Sequence, residues 1–168
     1  MSSKFCNQLF MGCGITGMKM LDSNSVPLCV TSPPFGNIRD YGGQEFYFKP
    51  MARELWRVIM SGGVLCWHVQ DQVVDGRETG ESINQAAYFL EIGFQLHTTL
   101  VVEGSVISKY QNRYGQPIQH VFVFSKGKTR VFNPIVDVPN KGAGQLQTFK
   151  ERLREAIGTR LKGEYIKR

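Results

Sequence analysis

Apolar residues along this chain fall into short unbroken runs that alternate with helical stripes. Ile15 to Leu21 spaces its apolar positions as a helix does, and Val26-Pro27-Leu28-Cys29-Val30 then has the length of a buried strand. From Gln44 to Met60, the positions Phe46, Met51, Leu55, Val58 and Ile59 share one helical face; Pro50 suits a first turn and Ser61-Gly62-Gly63 ends the pattern. Val64 to Val69 predicts a second buried strand, running out at Gln70-Asp71. After a polar loop from Asp75 to Glu81, Ser82 is placed to cap a helix carrying Ile83, Ala86, Ala87 and Leu90, which Gly93 stops. Phe94 to Val102 and Gln119 to Phe124 predict further strands around an exposed loop from Gly104 to Pro117, and Asn7 to Met11 is one more short strand candidate.

Strand, helix and strand in repeated succession predict an α/β fold built on a parallel sheet. Past Phe132 the pattern breaks at Asn133-Pro134 and Pro139-Asn140-Lys141-Gly142, and the tail then sets Leu146, Phe149, Leu153, Ile157 and Leu161 at helical spacing. The expected division is a catalytic α/β domain over residues 1–132 and a linker with a basic amphipathic helix over 133–168. That helix is expected to dock on the domain or on DNA.

Length and composition narrow the class. The 168 residues, 42% apolar, allow one domain with a real core. The opening Met1-Ser2-Ser3-Lys4-Phe5 lacks the apolar centre of a signal peptide and no apolar run is long enough to span a bilayer, so a cytoplasmic protein without a membrane association is expected. Cys6, Cys13, Cys29 and Cys66 form no Cys-x-x-Cys pair and read as reduced, mostly buried thiols; His68, His97 and His120 sit singly on strand-like segments, so no metal is implied.

Charge is divided unevenly. Residues 1–103 hold 7 Lys/Arg against 10 Asp/Glu, whereas residues 104–168 hold 13 against 4. The second part is where a polyanion would sit. In it Lys109, Arg113, Lys126, Lys128 and Arg130 interleave with Tyr110, Tyr114, Phe122, Phe124 and Phe132, an arrangement that suits phosphates and stacked bases. A solvated basic surface over a strand core accounts for the same pattern.

The chemistry concentrates at Thr31-Ser32-Pro33-Pro34-Phe35, directly after the first buried run. Methylating the exocyclic amine of a base requires taking the base out of the stack, holding it against a flat face and hydrogen-bonding its edge. Phe35 offers the face. The Ser32 hydroxyl can accept a proton of the amine, while Pro33 and Pro34 fix φ, lack N–H groups and leave carbonyls for the site. A proline-terminated strand entering an ordinary turn is the bland alternative. Asp71 is open in the same way, as a site-edge residue at the end of a strand or as a turn residue.

The run Val30-Thr31-Ser32-Pro33-Pro34-Phe35 followed by Arg39-Asp40-Tyr41-Gly42-Gly43 resembles the catalytic motif of amino-methylating, S-adenosylmethionine-dependent DNA methyltransferases of bacterial restriction-modification systems and phages. Other segments match in family order: Asp22-Ser23-Asn24-Ser25-Val26, Leu55-Trp56-Arg57-Val58, Ser61-Gly62-Gly63-Val64-Leu65, Val121 to Gly127, and Phe132-Asn133-Pro134-Ile135. The similarity runs from about Leu9 to about Gly144. It implies a partial Rossmann-like methyltransferase sheet with a basic C-terminal helix. Thr31 to Phe35, that is Thr31, Ser32, Pro33, Pro34 and Phe35, would be the catalytic residues, and Gly12, Cys13 and Thr31 the cofactor-binding ones. Arg39, Tyr41, Lys109, Tyr110, Arg113, Tyr114, Lys126, Lys128 and Arg130 would meet duplex DNA. Members with Ser-Pro-Pro-Phe more often modify cytosine than adenine.

Two departures from the family pattern stand out. Where relatives carry Gly-Asp, this chain has Gly12-Cys13, and a thiol is a poor hydrogen-bond partner, so weaker cofactor binding is expected. The string Phe10-Met11-Gly12-Cys13-Gly14 matches the glycine-rich cofactor loop, but only 16 residues separate Gly14 from Thr31, too few for the units that normally intervene, so it reads as coincidence. The Phe-x-Gly-Ser-Gly loop expected after the recognition region is also missing. A following segment or a partner chain would then supply it, leaving a sheet edge to be covered. Two function classes remain: an amino-methyltransferase acting on a flipped base, and a non-catalytic DNA-binding remnant.

Overall fold

The computed structural model describes residues 7–34, 46–104, 115 and 117–134; the chain divides at Phe132/Asn133, and the architecture below belongs to the first unit. Its opening helix α1 (Gly14–Lys19) leads into strand β1 (Val26–Thr31), helix α2 (Phe48–Val58) and strand β2 (Ile59–Val69), with β1 and β2 parallel. A small hairpin of β3 (Val73–Val74) and β4 (Arg77–Glu78) precedes helix α3 (Glu81–Glu91), then β5 (Gln95–Glu103) and β6 (Ile118–Ser125) complete the sheet in the order β1-β2-β6-β5.

The expected parallel sheet is mixed. β6 runs antiparallel to both neighbours, so β1, β2 and β5 point one way and β6 the other. A parallel pair needs a crossover, which α2 supplies between β1 and β2; no described helix separates β5 from β6, so they pair as neighbours antiparallel.

Four further expectations change. Asn7 to Met11 is not a strand, and Leu9 and Met11 are almost wholly exposed. The loop from Asp75 to Glu81 contains a hairpin, because Asp75 and Gly76 both take positive φ (50° and 75°), the geometry of a tight two-residue turn. Ser82 is not the cap of α3: that position is Gly80, and Ser82 lies inside the first turn. The thiols also differ from expectation, with Cys13 exposed and Cys29 and Cys66 only half buried.

One face of the sheet carries the core. Leu65, Trp67 and Val69 of β2 and Phe122 and Phe124 of β6 meet Ala52, Leu55 and Val58 of α2 and Ala86 and Phe89 of α3. Phe89 is the hub, with the rings of Phe48, Trp67, Phe94 and Phe124 all within 5.6 Å. Each such ring removed from water stabilises the fold by about 1.5–3 kcal/mol. The opposite face presents Leu28, Val30, Val64, Cys66, Val121 and Val123 by register, and among the described residues no helix covers it.

Two cations fasten the helices. Arg57 of α2 donates to the carbonyls of Met18 (2.8 Å) in the last turn of α1 and of Leu21 (3.0 Å) just past it, while Glu54 neutralises it at 2.9 Å. Lys126, just past β6, donates to the carbonyls of Trp56 and Ile59 at the end of α2 and to Asn24. Gly62 tolerates this closeness because it has φ +78° and no Cβ, which would otherwise lie 2.5 Å from the Arg130 side chain.

Candidate active site

Thr31, the last residue of β1, pairs with Trp67 of β2, and the chain then leaves the sheet through Ser32, Pro33 and Pro34. This is the carboxyl end of two parallel strands, where α/β sheets form their ligand crevices. A cavity of about 340 Å³ opens there, lined by Thr31 to Pro34 together with Cys29, Trp67, Gly14 and Met18 of α1, and Phe46, Met51 and Leu55 around α2. The alternation of β1 explains the wall: Cys29 and Thr31 face the helices, while Leu28 and Val30 face away.

Each rim residue has a distinct environment. Pro33 is buried, Thr31 and Pro34 are half buried, and Ser32 is exposed with no hydrogen-bond partner among the described residues. The Ser32 hydroxyl thus stands on a stiff Pro-Pro base at the mouth of an apolar hollow. Burial pushes the Cys29 thiol up, reinforced by Cys66, so Cys29 is a neutral wall residue rather than a nucleophile.

The floor is Trp67. Its indole N–H donates to Gln85 of α3 at 2.9 Å, and Phe46 stacks over it with centroids 6.4 Å apart and planes 30° apart. Sequence reasoning did not single out Trp67, Gln85 or the two methionines, although Trp67 falls at the carboxyl end of an alternating strand opposite Thr31. That signal was present in the pattern.

The structure separates residues that the sequence grouped. Gly12 and Cys13 do not line the cavity; their neighbour Gly14 does. Cys13 occupies the N-cap position of α1, where the backbone N–H groups of Thr16 and Ile15 hold its thiol below the usual range, helped by the Thr16 side chain and Lys19. Asp71 is buried, accepting from the backbone and hydroxyl of Ser82 and from Thr79, and so serves as the side-chain cap of α3 rather than as a site-edge group.

The basic residues after β6 lie at the far end of the sheet. Ser125 pairs with Val64, three residues before Trp67, so Lys126 and its successors sit about 10 Å or more from the Thr31 end. Lys128 and Arg130 are exposed there, but the Lys126 ammonium is engaged by three protein oxygens and stands over Trp56, a fastening role in place of the expected DNA contact. Phe35, Arg39, Tyr41, Lys109, Tyr110, Arg113 and Tyr114 lie outside the described residues, as does the segment expected to form the tail helix.

Comparison with known proteins supports this architecture. Over 139 residues the chain is 41% identical to the orphan methyltransferase M.BamHII of Bacillus amyloliquefaciens, covering 82% of this chain and 52% of that protein. The PvuII DNA methyltransferase, cytosine-N4-specific, superposes with a TM-score of 0.56 at 15% identity over 71% of this chain and 49% of its own. A candidate DNA modification methylase of Thermus thermophilus, solved with S-adenosyl-L-methionine, gives 0.56 at 19% identity over 76% and 55%. No protein-family model matches. The chain spans about half the length of these relatives. The expected resemblance to methyltransferases and the Rossmann-like methyltransferase fold are both borne out.

Proposed function

We propose that this chain, a relative of M.BamHII with the methyltransferase fold, is the catalytic part of a cytoplasmic, amino-methylating DNA methyltransferase, with cytosine its preferred base. The observation that carries the reading is Thr31-Ser32-Pro33-Pro34 at the mouth of an apolar cavity, at the carboxyl ends of two parallel strands. Ser32 in place of an acidic residue, and a cytosine-N4-specific neighbour, support cytosine over adenine.

In this reading a flipped base presents its amine to the exposed Ser32 hydroxyl, which accepts one N–H, while a carbonyl of the proline segment accepts the other. Two acceptors orient the nitrogen lone pair. Serine is too weak a base to remove the proton beforehand, so the acceleration comes from orientation and preset dipoles. Phe35 is proposed as the flat face against the base.

S-adenosylmethionine is the proposed methyl donor, supplying an electrophilic methyl group when bound. The residues here fit part of it: Thr31 and the apolar wall suit its uncharged portion, but among the described residues no charged side chain lines the cavity to hold its ammonium and carboxylate ends. Those contacts and the glycine loop are proposed to come from a following segment or a partner chain placed along β1. β1 is the outer strand of the described sheet, and its Leu28 and Val30 are 55% and 71% exposed.

Duplex DNA is the proposed substrate, met by Arg39, Tyr41, Lys109, Tyr110, Arg113 and Tyr114 near the base, and by Lys128 and Arg130 through backbone phosphates only. The test is to express the chain with its supplying segment in cells free of DNA methylation and analyse the nucleosides by mass spectrometry. N4-methylcytosine supports the proposal, N6-methyladenine alone corrects the base, and neither product overturns it.

A further inference from the structure

Helix α2 carries three cations with different fates. Arg57 is turned inward and neutralised by Glu54. Lys49 and Arg53 are exposed, and among the described residues neither has a carboxylate partner. Both are held by one residue of the neighbouring helix: Arg53 Nε donates to the Tyr88 hydroxyl at 2.9 Å, and Lys49 Nζ lies 5.3 Å from the centroid of the same ring. Tyr88 is itself buried, at 9% exposure, and Phe48 packs edge-on against it at 5.5 Å, so the platform is fixed.

The placement is unfavourable for α2 alone. Like charges four residues apart repel, and Lys49, in the first turn, opposes the helix dipole. The first turn of α2 holds no acidic residue to offset either cost. An outside anion relieves both. Arg53 keeps the outer edge of its guanidinium for a bidentate contact once Nε is held by Tyr88, and Lys49 adds a second positive charge with β-carbons about 5–6 Å apart.

The position suits one class of anion. Met51 and Leu55, on the other side of the same helix, line the cavity below Ser32, so the two cations stand about one helix diameter, roughly 10 Å, from the proposed methylation site. We propose that Lys49 and Arg53, set on Tyr88, clamp the phosphate backbone of the DNA strand beside the flipped base. This rests on the methyltransferase reading above and adds residues that lie outside the strongly basic part of the sequence.

The test is a titration of a fluorescent duplex with the full chain at several salt concentrations. The double variant Lys49→Gln/Arg53→Gln is expected to weaken every duplex about equally, by tenfold or more at low salt, and to reduce the slope of log affinity against log salt by about two. Tyr88→Phe, which removes the hydroxyl that sets Arg53 but keeps the ring under Lys49, is expected to give a smaller loss in the same direction. An unchanged slope in the folded double variant overturns the clamp and leaves the methyltransferase reading standing. Lower thermal stability with an unchanged slope also overturns it, by reducing the pair to a fastener between α2 and α3. A wild-type chain that binds no duplex at low salt removes the DNA reading itself, and the clamp with it.

Discussion

Lys126 stands 4.5 Å above the indole of Trp56 and donates a hydrogen bond to that residue's own carbonyl. Through this pair β6 closes the end of α2, since the carbonyls of Trp56 and Ile59 otherwise meet no donor from the helix. Lys126→Ala is expected to lower stability by about 1–3 kcal/mol, measured by urea unfolding. Glutamate at Lys128 and Arg130 should leave the midpoint nearly unchanged while weakening all duplexes alike. Equal destabilisation by all three changes would return Lys126 to the ranks of surface cations.

Ser32→Ala is expected to reduce methyl transfer by about 10²–10³-fold, the usual loss when one preset polar contact to the reacting group is removed. Duplex affinity should change little, because the hydroxyl matters most as the amine attacks. Single-turnover rates set beside binding titrations separate the two quantities. A variant with unimpaired turnover would take Ser32 out of the mechanism.

How legible this was in the sequence depends on the range of the forces involved. β1, α2 and the rim from Thr31 to Pro34 could be read because apolar spacing and proline geometry act within a few residues. The reversed direction of β6 could not, because strand direction follows from the connection and the pairing partner. Lys126 shows the same limit. Its charge counted toward a basic half, yet its partners Asn24 and Trp56 lie 102 and 70 residues away in the chain. Asp71 was open between two readings until Ser82 was seen to donate to it twice.

Cys13 should be the first of the described cysteines to react with iodoacetamide as pH is raised. Backbone N–H groups lower its thiol, whereas burial raises those of Cys29 and Cys66. The sign for folding follows. A thiol held below its unfolded value adds stability above that unfolded value, and the gain is lost as pH falls through the lowered one. Cys13→Asp places a stronger N-cap acceptor on α1 and should raise the melting temperature. Peptide mapping after brief alkylation, and melting curves of the variant, check the two expectations.

The chain by itself is expected to bind S-adenosylmethionine more weakly than micromolar, a free energy less favourable than about −8 kcal/mol by calorimetry. Cys13 replaces the expected acid, the described lining of the cavity offers no charged group, and the outward edge of β1 has no described partner. Parallel strands are ordinarily covered on both faces, so a β1 that exposes Leu28 and Val30 should open more readily than β2 beside it. Hydrogen exchange makes this visible. Amides of Leu28 to Val30 should exchange faster than those of Leu65 to Trp67, and should become protected when the segment carrying the glycine loop is added. If β1 is as protected as β2 without that segment, its edge is already covered, and the remaining half of the site cannot be assembled there.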